Sequence, residues 1–130
     1  MANLQMIDAA SLLWVPHRTF AGVEAQTVVD AQMGKDLEVK LVRIAPRSEI
    51  ALHTHEGSAE TFYILSGEGL ICTGDQMQPC HPGLCVHAEA GAVHGVRNTG
   101  EGHLQLLAIF TPPTGTPPRP DGIGQTRKKP

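Results

Sequence analysis

Short stretches in which hydrophobic and polar residues alternate run along most of the chain, separated by glycines and prolines. In residues 37–44, Leu37, Val39 and Leu41 fall on one face of an extended chain, and two charged residues fall on the other. This alternation has the two-residue period of a β-strand, and the neighbouring turn-forming residues set its length. Residues 37–44 are therefore predicted to form a strand.

The same pattern predicts several more strands. Residues 61–65 are aromatic and β-branched, and residues 68–73 follow directly, so the two are predicted to pair as a hairpin around Ser66-Gly67-Glu68. Further strands are predicted at residues 84–88, 92–96 and 104–110. The last of these is almost continuously apolar, which is typical of a strand buried on both faces.

Helical signals are nearly absent. No stretch carries the 3.6-residue hydrophobic period of an amphipathic helix, and only residues 8–13 are predicted to form a helical turn, with Asp8 as its cap. Regularly spaced short strands favour an all-β sandwich or barrel. A chain of 130 residues with 41% hydrophobic and 18% charged residues fits one globular domain.

Charge, apolar runs and cysteines indicate which binding partners and which cellular location to expect. Residues 1–111 hold six Lys or Arg against twelve Asp or Glu, and this acidic balance argues against a nucleic-acid-binding domain. No apolar run approaches the roughly 20 residues that cross a bilayer, and the N-terminus lacks a signal-peptide pattern. We therefore expect a cytoplasmic protein with no nucleic-acid or membrane partner. The three cysteines are predicted to be reduced thiols: Cys72, Cys80 and Cys85.

Four residues form a candidate metal site. His53 and His55 lie two apart, so both imidazoles point to one face of an extended strand. Glu60 follows a turn and can fold back towards them, and His94 lies on a separate predicted strand. Three neutral imidazoles and one carboxylate suit a divalent transition ion and leave coordination positions open. The alternative is that these are exposed loop histidines beside a surface carboxylate.

At these residues the sequence resembles the cupin superfamily. The first cupin motif, G-x5-H-x-H-x3,4-E-x6-G, is matched by His53, His55, Glu60 and Gly67. The second motif, G-x5-P-x-G-x2-H-x3-N, is matched by Gly83, Gly91, His94 and Asn98. Arg47 and Glu89 stand where the motifs have a glycine and a proline. The short interval between the motifs is typical of small single-domain microbial cupins.

The resemblance implies a fold and a pocket. The fold is a single-domain double-stranded β-helix, or jelly-roll barrel, over residues 37–113. Residues 1–36 would complete or extend the barrel, and residues 114–130 would form a flexible, Pro- and Gly-rich basic tail. One divalent ion (Fe, Mn, Ni or Zn) would bind near the barrel mouth. The predicted pocket residues are three that share the inward face by alternation and two cations that could clamp an anionic group: Phe62, Ile64, Val96, Arg43 and Arg47.

Three function classes follow from this resemblance. The first is a metal-dependent dioxygenase acting on a small organic molecule. The second is a metal-dependent isomerase, lyase or decarboxylase of a sugar acid or small carboxylate. The third is a non-catalytic module that binds or senses a small molecule. A homodimer is also expected, paired at an unclosed edge strand, with residues 12–15 or 112–130 crossing to the partner. The sequence assigns no catalytic residue beyond the metal ligands.

Overall fold

The computed structural model describes residues 2–115, which fold into two antiparallel sheets that face each other. Short helical turns occupy Ala9–Ser11 and Ala31–Gly34. The strands are β1 (Val15–Pro16), β2 (Val23–Val29), β3 (Glu38–Ile44), β4 (Glu49–His53), β5 (Ala59–Ser66), β6 (Gly69–Cys72), β7 (Met77–Cys80), β8 (Cys85–Ala88), β9 (His94–Asn98) and β10 (Leu104–Thr111). The larger sheet has the order β1-β2-β3-β10-β5-β8, and the smaller has the order β4-β9-β6-β7. This confirms the predicted all-β jelly-roll.

The core lies between the two sheets. Its most completely buried side chains come from the inner faces of the larger sheet, chiefly from Ile44, Phe62, Ile64, Leu104 and Leu106. Strand β10 is central, because it pairs with β3 on one side and with β5 on the other. Its inner face is fully buried, but its outer face is only half-buried, so the expectation of burial on both faces holds for one face only.

The predicted hairpin between residues 61–65 and 68–73 is wrong. Strand β5 pairs with β10 and β8, whereas β6 pairs with β9 and β7 in the other sheet. The chain crosses between the sheets at Gly67, where φ is +91° and a Cβ would lie 2.6 Å from the His103 carbonyl oxygen. Local turn residues cannot distinguish such a crossing from a hairpin, because both need a tight reversal.

Strand β3 turns its charged face inward. Glu38 and Lys40 share the inner side with Val42 and Ile44, while Val39 and its alternating neighbours lie on the outer face of the sheet. Glu38 is completely buried, and its Oε1 accepts a hydrogen bond from the Thr114 backbone N–H at 2.9 Å. The outer face of β3 therefore carries Val39 and Leu41 beside Arg43, and its inner face carries two charged groups.

The N-terminal segment packs against its own barrel. The Asp8 carboxylate accepts a hydrogen bond from the Ala10 N–H and caps the first helical turn, as predicted. The Gln26 side-chain amide donates to the Ala9 and Leu12 carbonyls at 3.1 and 3.0 Å, and Leu12 is 2% exposed. Residues 116–130, which hold most of the predicted tail, lie outside the described residues. Within residues 2–115, no helix is long and apolar enough to span a membrane.

Both departures from the cupin motifs keep the backbone shape. Arg47 occupies the glycine position of the first motif with φ +63°, the left-handed conformation that glycine adopts readily. At the proline position of the second motif, the Glu89 carbonyl accepts a hydrogen bond from the Ala92 N–H at 2.9 Å and closes the turn. The turn before His94 therefore forms without proline.

Candidate metal centre

The structure brings together the four residues that the sequence nominated as metal ligands. His53 is the last residue of β4, Glu60 is the second residue of β5, and His94 is the first residue of β9. His55 lies two residues beyond the end of β4 rather than within the strand. One ligand atom from each residue lies within 4.8 Å of the other three. Among the residues that the structure describes, this is the one cluster of three or more such groups.

Pairing of β4 with β9 places His53 directly opposite His94. The register shifts between Ile50 and His53: these residues are three apart in β4, whereas their partners Val96 and His94 are two apart in β9. In an uninterrupted strand, residues three apart point to opposite faces. The irregularity allows Ile50 and His53 both to line the interior cavity.

The side-chain atoms converge closely. Nε2 of His53 lies 3.1 Å from Nε2 of His55. Oε1 of Glu60 lies 3.2 Å from Nε2 of His55 and 2.9 Å from Nε2 of His94. Glu60 and His94 are buried, and the other two histidines are half-buried. This arrangement does not fit the alternative of exposed loop histidines beside a surface carboxylate.

Two backbone carbonyls orient the rings. Nδ1 of His53 lies 2.8 Å from the Ala51 carbonyl oxygen, and Nδ1 of His94 lies 2.9 Å from that of Ala92. Because a carbonyl only accepts, each Nδ1 must carry the hydrogen and donate it. In the neutral tautomer, Nε2 then presents its lone pair to the centre of the cluster, as a metal ligand requires.

Such a set of acceptor atoms fits a cation. The Glu60 carboxylate and the inward ring nitrogens can approach this closely only when protons or a metal ion lie among them. Burial raises the pKa of Glu60, but hydrogen bonds from His55 and His94 outweigh it and lower that pKa to about 2. Burial lowers the pKa of His94, but its hydrogen bonds with Glu60 and Ala92 raise it overall. The donor set therefore suits a divalent ion.

The cluster faces a cavity of about 460 Å³ between the two sheets. Most of its wall is apolar: Phe20, Val23, Ala25, Val42, Ile50, Phe62, Val96, Leu106 and Phe110. Its volume falls within the range of small-molecule sites, which combine an apolar wall with a few polar groups. The arrangement can therefore hold a small organic molecule against the four clustered side chains.

A protein-family model described as a cupin domain matches residues 40–110, more than half of the chain. The chain belongs to the cupin family. The oxalate-binding protein of Thermotoga maritima is 35% identical over 69 residues, which is 53% of this cupin and 57% of that relative. Auxin-binding protein 1 of Arabidopsis thaliana is 30% identical over 88 residues, 61% of this chain and 44% of that one. This cupin thus spans about half the length of these curated relatives.

Solved structures match a larger share of this chain than the curated relatives do. A predicted oxalate decarboxylase from Thermotoga maritima superposes with a TM-score of 0.75 at 25% identity, covering 83% of this cupin and 99% of that chain. The polyketide cyclase RemF from Streptomyces resistomycificus also gives 0.75, at 17% identity, with 89% and 83% covered. At that identity the second likeness shows the fold alone.

The predicted pocket residues of this cupin divide into two groups. Phe62 and Val96 line the cavity, and Ile64 is completely buried in the core outside the cavity lining. Arg43 and Arg47 do not line it. Arg43 lies on the outer face of β3, because side chains alternate along a strand and its neighbours Val42 and Ile44 lie on the inner face.

Both arginines lie away from the cavity. Nε of Arg43 donates to Glu24 at 2.8 Å, and its guanidinium stacks over Trp14 at 4.2 Å. Arg47 is exposed in the turn before β4. The expectation that these two residues form an anion clamp in the cavity is therefore corrected.

Sequence reasoning missed many of the residues that line the cavity, among them His17, Phe20 and Lys40. The alternation in β3 could not have assigned Lys40 to the cavity, because apolar residues lie on both faces of this strand, with Val42 and Ile44 on the same face as Lys40 and Leu41 on the other. His17 and Phe20 precede β2 in a segment without any regular pattern. Only the packing of that segment against the barrel mouth brings them to the cavity.

Proposed function

We propose that this cupin is an enzyme that binds one divalent transition-metal ion through His53, His55, Glu60 and His94 and acts on a small organic molecule in the adjoining cavity. The observation that carries the proposal is the convergence of four ligand atoms within 4.8 Å at the wall of that cavity. Four protein ligands leave one or two positions of a five- or six-coordinate ion open. A bound ion would supply a Lewis-acid centre there.

The protein's own residues define what happens around that centre. Hydrogen bonds from His53 and His94 to backbone carbonyls fix two ring orientations before any ion arrives. The Glu60 carboxylate supplies one negative charge, so a divalent ion in the site keeps a net positive charge that attracts an anionic or electron-rich group. The apolar wall excludes water and strengthens this attraction.

Dioxygen-dependent oxidation of the bound molecule is the first candidate reaction. Three neutral nitrogen ligands and one carboxylate suit Fe(II), and open positions beside an apolar cavity suit the binding of dioxygen and an organic substrate together. The role of the chain would be to hold the substrate against Phe62 and Val96, facing the ligand cluster.

Oxygen-independent chemistry on a small carboxylate is the second candidate. Two observations favour it. Lys40 places a permanent positive charge in the cavity wall, and relatives of this chain are described as an oxalate-binding protein and a predicted oxalate decarboxylase. Such a reaction needs a cation to stabilise negative charge that develops on the substrate, which the proposed site would provide.

Elemental analysis of protein purified without added metal tests the site. We expect close to one transition ion per chain in the wild type and a sharp loss in His53→Ala and Glu60→Ala, because each removes one of four ligands. His103→Ala is the matched control, since this exposed histidine lies outside the cavity. Full metal content in both site variants would rule out the assignment.

An oxygen electrode separates the candidate reactions. Substrate-dependent oxygen consumption by the Fe(II)-loaded protein would support the first. Equal turnover under anaerobic conditions with Mn, Ni or Zn would support the second. Tight ligand binding without turnover in either arm would instead indicate a binding module and contradict the enzymatic proposal.

A further inference from the structure

All three phenylalanines of this chain line the cavity. The sequence contains three Phe, one Trp and one Tyr, and Phe20, Phe62 and Phe110 all belong to the cavity wall. They come from three separate places: the segment before β2, strand β5 and strand β10. Elsewhere the described core is built from aliphatic side chains and two cysteines. The phenyl rings are therefore concentrated at the cavity.

Each phenyl ring lies beside a different candidate metal ligand. The ring pairs and the distances between their centres are Phe110–His55 at 5.1 Å, Phe20–His53 at 5.9 Å and Phe62–His94 at 6.3 Å. These are the separations of aromatic rings in contact. The three imidazole rings lie 4.5 to 5.6 Å from one another, so the phenyl rings flank one compact cluster. A ligand that reaches the cluster from the cavity will lie beside aromatic rings.

Polar groups elsewhere in the cavity wall interact with the protein itself. Nδ1 of His17 accepts hydrogen bonds from two backbone N–H groups at 3.0 and 3.2 Å. The Thr114 hydroxyl donates to the Glu38 carboxylate. The Lys40 ammonium lies 5.7 Å from the centre of the Phe110 ring. The four-residue cluster, with the ion that it would hold, is therefore the part of the cavity best suited to a charged group of a ligand.

We propose that the cavity binds an aromatic monocarboxylate, with its carboxylate facing the four-residue cluster and its ring packed among Phe20, Phe62 and Phe110. This inference rests on the proposed function and adds the substrate class. Glu60 brings one negative charge to the site, so a divalent ion there would remain positive and attract a carboxylate. The ligand ring would leave water for an apolar wall and would gain ring contacts in offset or edge-on geometry.

Four simple compounds test the inference by calorimetry on zinc-loaded protein, since zinc has no redox chemistry. Phenylacetate should bind at least about tenfold more tightly than acetate, because its ring is removed from water. It should also bind about threefold more tightly than cyclohexylacetate, whose ring is apolar but not aromatic. The uncharged 2-phenylethanol should bind about tenfold more weakly than phenylacetate, because it lacks the carboxylate.

Variants assign the ring preference to named residues. Phe20→Leu and Phe110→Leu keep an apolar side chain, and each should lower the ratio of phenylacetate to acetate affinity by about threefold, because one ring contact is lost. Tyr63→Leu is the matched control and should keep the wild-type ratio. Its ring is on the same strand as Phe62 but is 45% exposed and lies outside the cavity. Zinc content and thermal unfolding, measured for each variant, show whether the metal site and the fold are intact.

The possible failures can be told apart. Equal binding of acetate and phenylacetate by the zinc-loaded wild type would overturn the ring subsite and leave the proposed metal site standing. Cyclohexylacetate binding as tightly as phenylacetate, or an unchanged ratio in both phenylalanine variants, would overturn the aromatic class. Equal binding of 2-phenylethanol and phenylacetate would overturn the placement of the carboxylate. Failure of the wild type to take up zinc would overturn the proposed function itself.

Discussion

At the residue scale, Glu60 and His94 form a buried pair that would supply two ligands to the proposed metal ion. Oε1 of Glu60 lies 2.9 Å from Nε2 of His94, so a proton on that nitrogen would bond to the carboxylate in the absence of metal. A metal ion must displace that proton. At the proposed metal site, affinity should therefore depend on pH through histidine and not through Glu60, whose pKa is lowered to about 2.

Metal affinity should fall as pH decreases from 8 to 5. The pKa of His94 is raised, so its proton is held to a higher pH and competes with metal below that value. Glu60 stays ionised throughout this range. Competition with a chromophoric chelator measures the affinity at each pH, and His103→Ala should show the same dependence as the wild type. An affinity that is constant over this range would contradict the linkage.

Arg47 gives a second prediction at this scale. Its φ of +63° is unfavourable for residues with a Cβ, and its side chain is exposed. Arg47→Gly should leave the free energy of unfolding unchanged or raise it by up to about 1 kcal/mol, since the relief of strain exceeds or equals the added chain entropy.

The opposite substitution provides the contrast. Arg47→Val should lower the free energy of unfolding by about 1 kcal/mol or more, because a β-branched residue tolerates this conformation poorly. Urea unfolding of the three proteins measures the differences. Equal midpoints for the glycine and valine variants would show that backbone strain at Arg47 has no effect on stability.

At the element scale, close contact between β6 and β9 depends on a residue without a side chain. A Cβ on Gly69 would lie 2.1 Å from the Arg97 carbonyl oxygen and 2.9 Å from a methyl carbon of Leu104. Because β6 pairs with β9 along Gly69–Cys72, such a clash would push β9 away, and β9 carries His94.

Gly69→Ala should therefore lower the free energy of unfolding by at least about 2 kcal/mol, or leave too little folded protein to measure. Gly74→Ala should change it by less than about 0.5 kcal/mol, since a Cβ there meets nothing within 4 Å. Chemical unfolding checks both values. Similar losses in the two variants would mean that the contact with β9 is not the cause.

The strand predictions that succeeded depend on patterns within a single strand, and those that failed depend on pairing between strands. Strands β3 and β10 have long alternating or apolar stretches, and the sequence predicted them within one residue of their bounds. The predicted hairpin failed because sheet assignment depends on partners distant in the chain. The irregularity in β4 that turns His53 inward has no local signal either, because pairing with β9 creates it.

At the scale of the whole molecule, the outer face of the larger sheet carries an apolar patch. Leu107 lies beside Leu41 on one side and Tyr63 on the other, and Val39 and Ile109 form a neighbouring pair. Tyr63 is 45% exposed, and the other four are half-buried. The outer face of a solvated sheet normally carries polar residues, so an apolar patch of this kind favours contact with another surface.

The sequence predicted a homodimer paired at an edge strand, and this patch offers a different surface for the same pairing, so we expect a homodimer that uses it. Light scattering at micromolar concentration should give twice the chain mass, and Leu107→Glu should give the monomer mass with an unchanged circular dichroism spectrum. Thr99→Glu is the control, because Thr99 is an exposed polar residue outside this face. A wild-type protein of monomer mass would contradict the expectation.

The sequence by itself determined the period of the strands, the all-β class and the four residues that the structure brings together. It did so because strand alternation and motif spacing are local properties, which neighbouring residues express without help from the rest of the chain. Only the tertiary structure decided how His94 reaches His53, which sheet each strand joins, and that Lys40 and His17 face the cavity while Arg43 does not. These depend on pairing and packing between segments far apart in the chain, which no local pattern records.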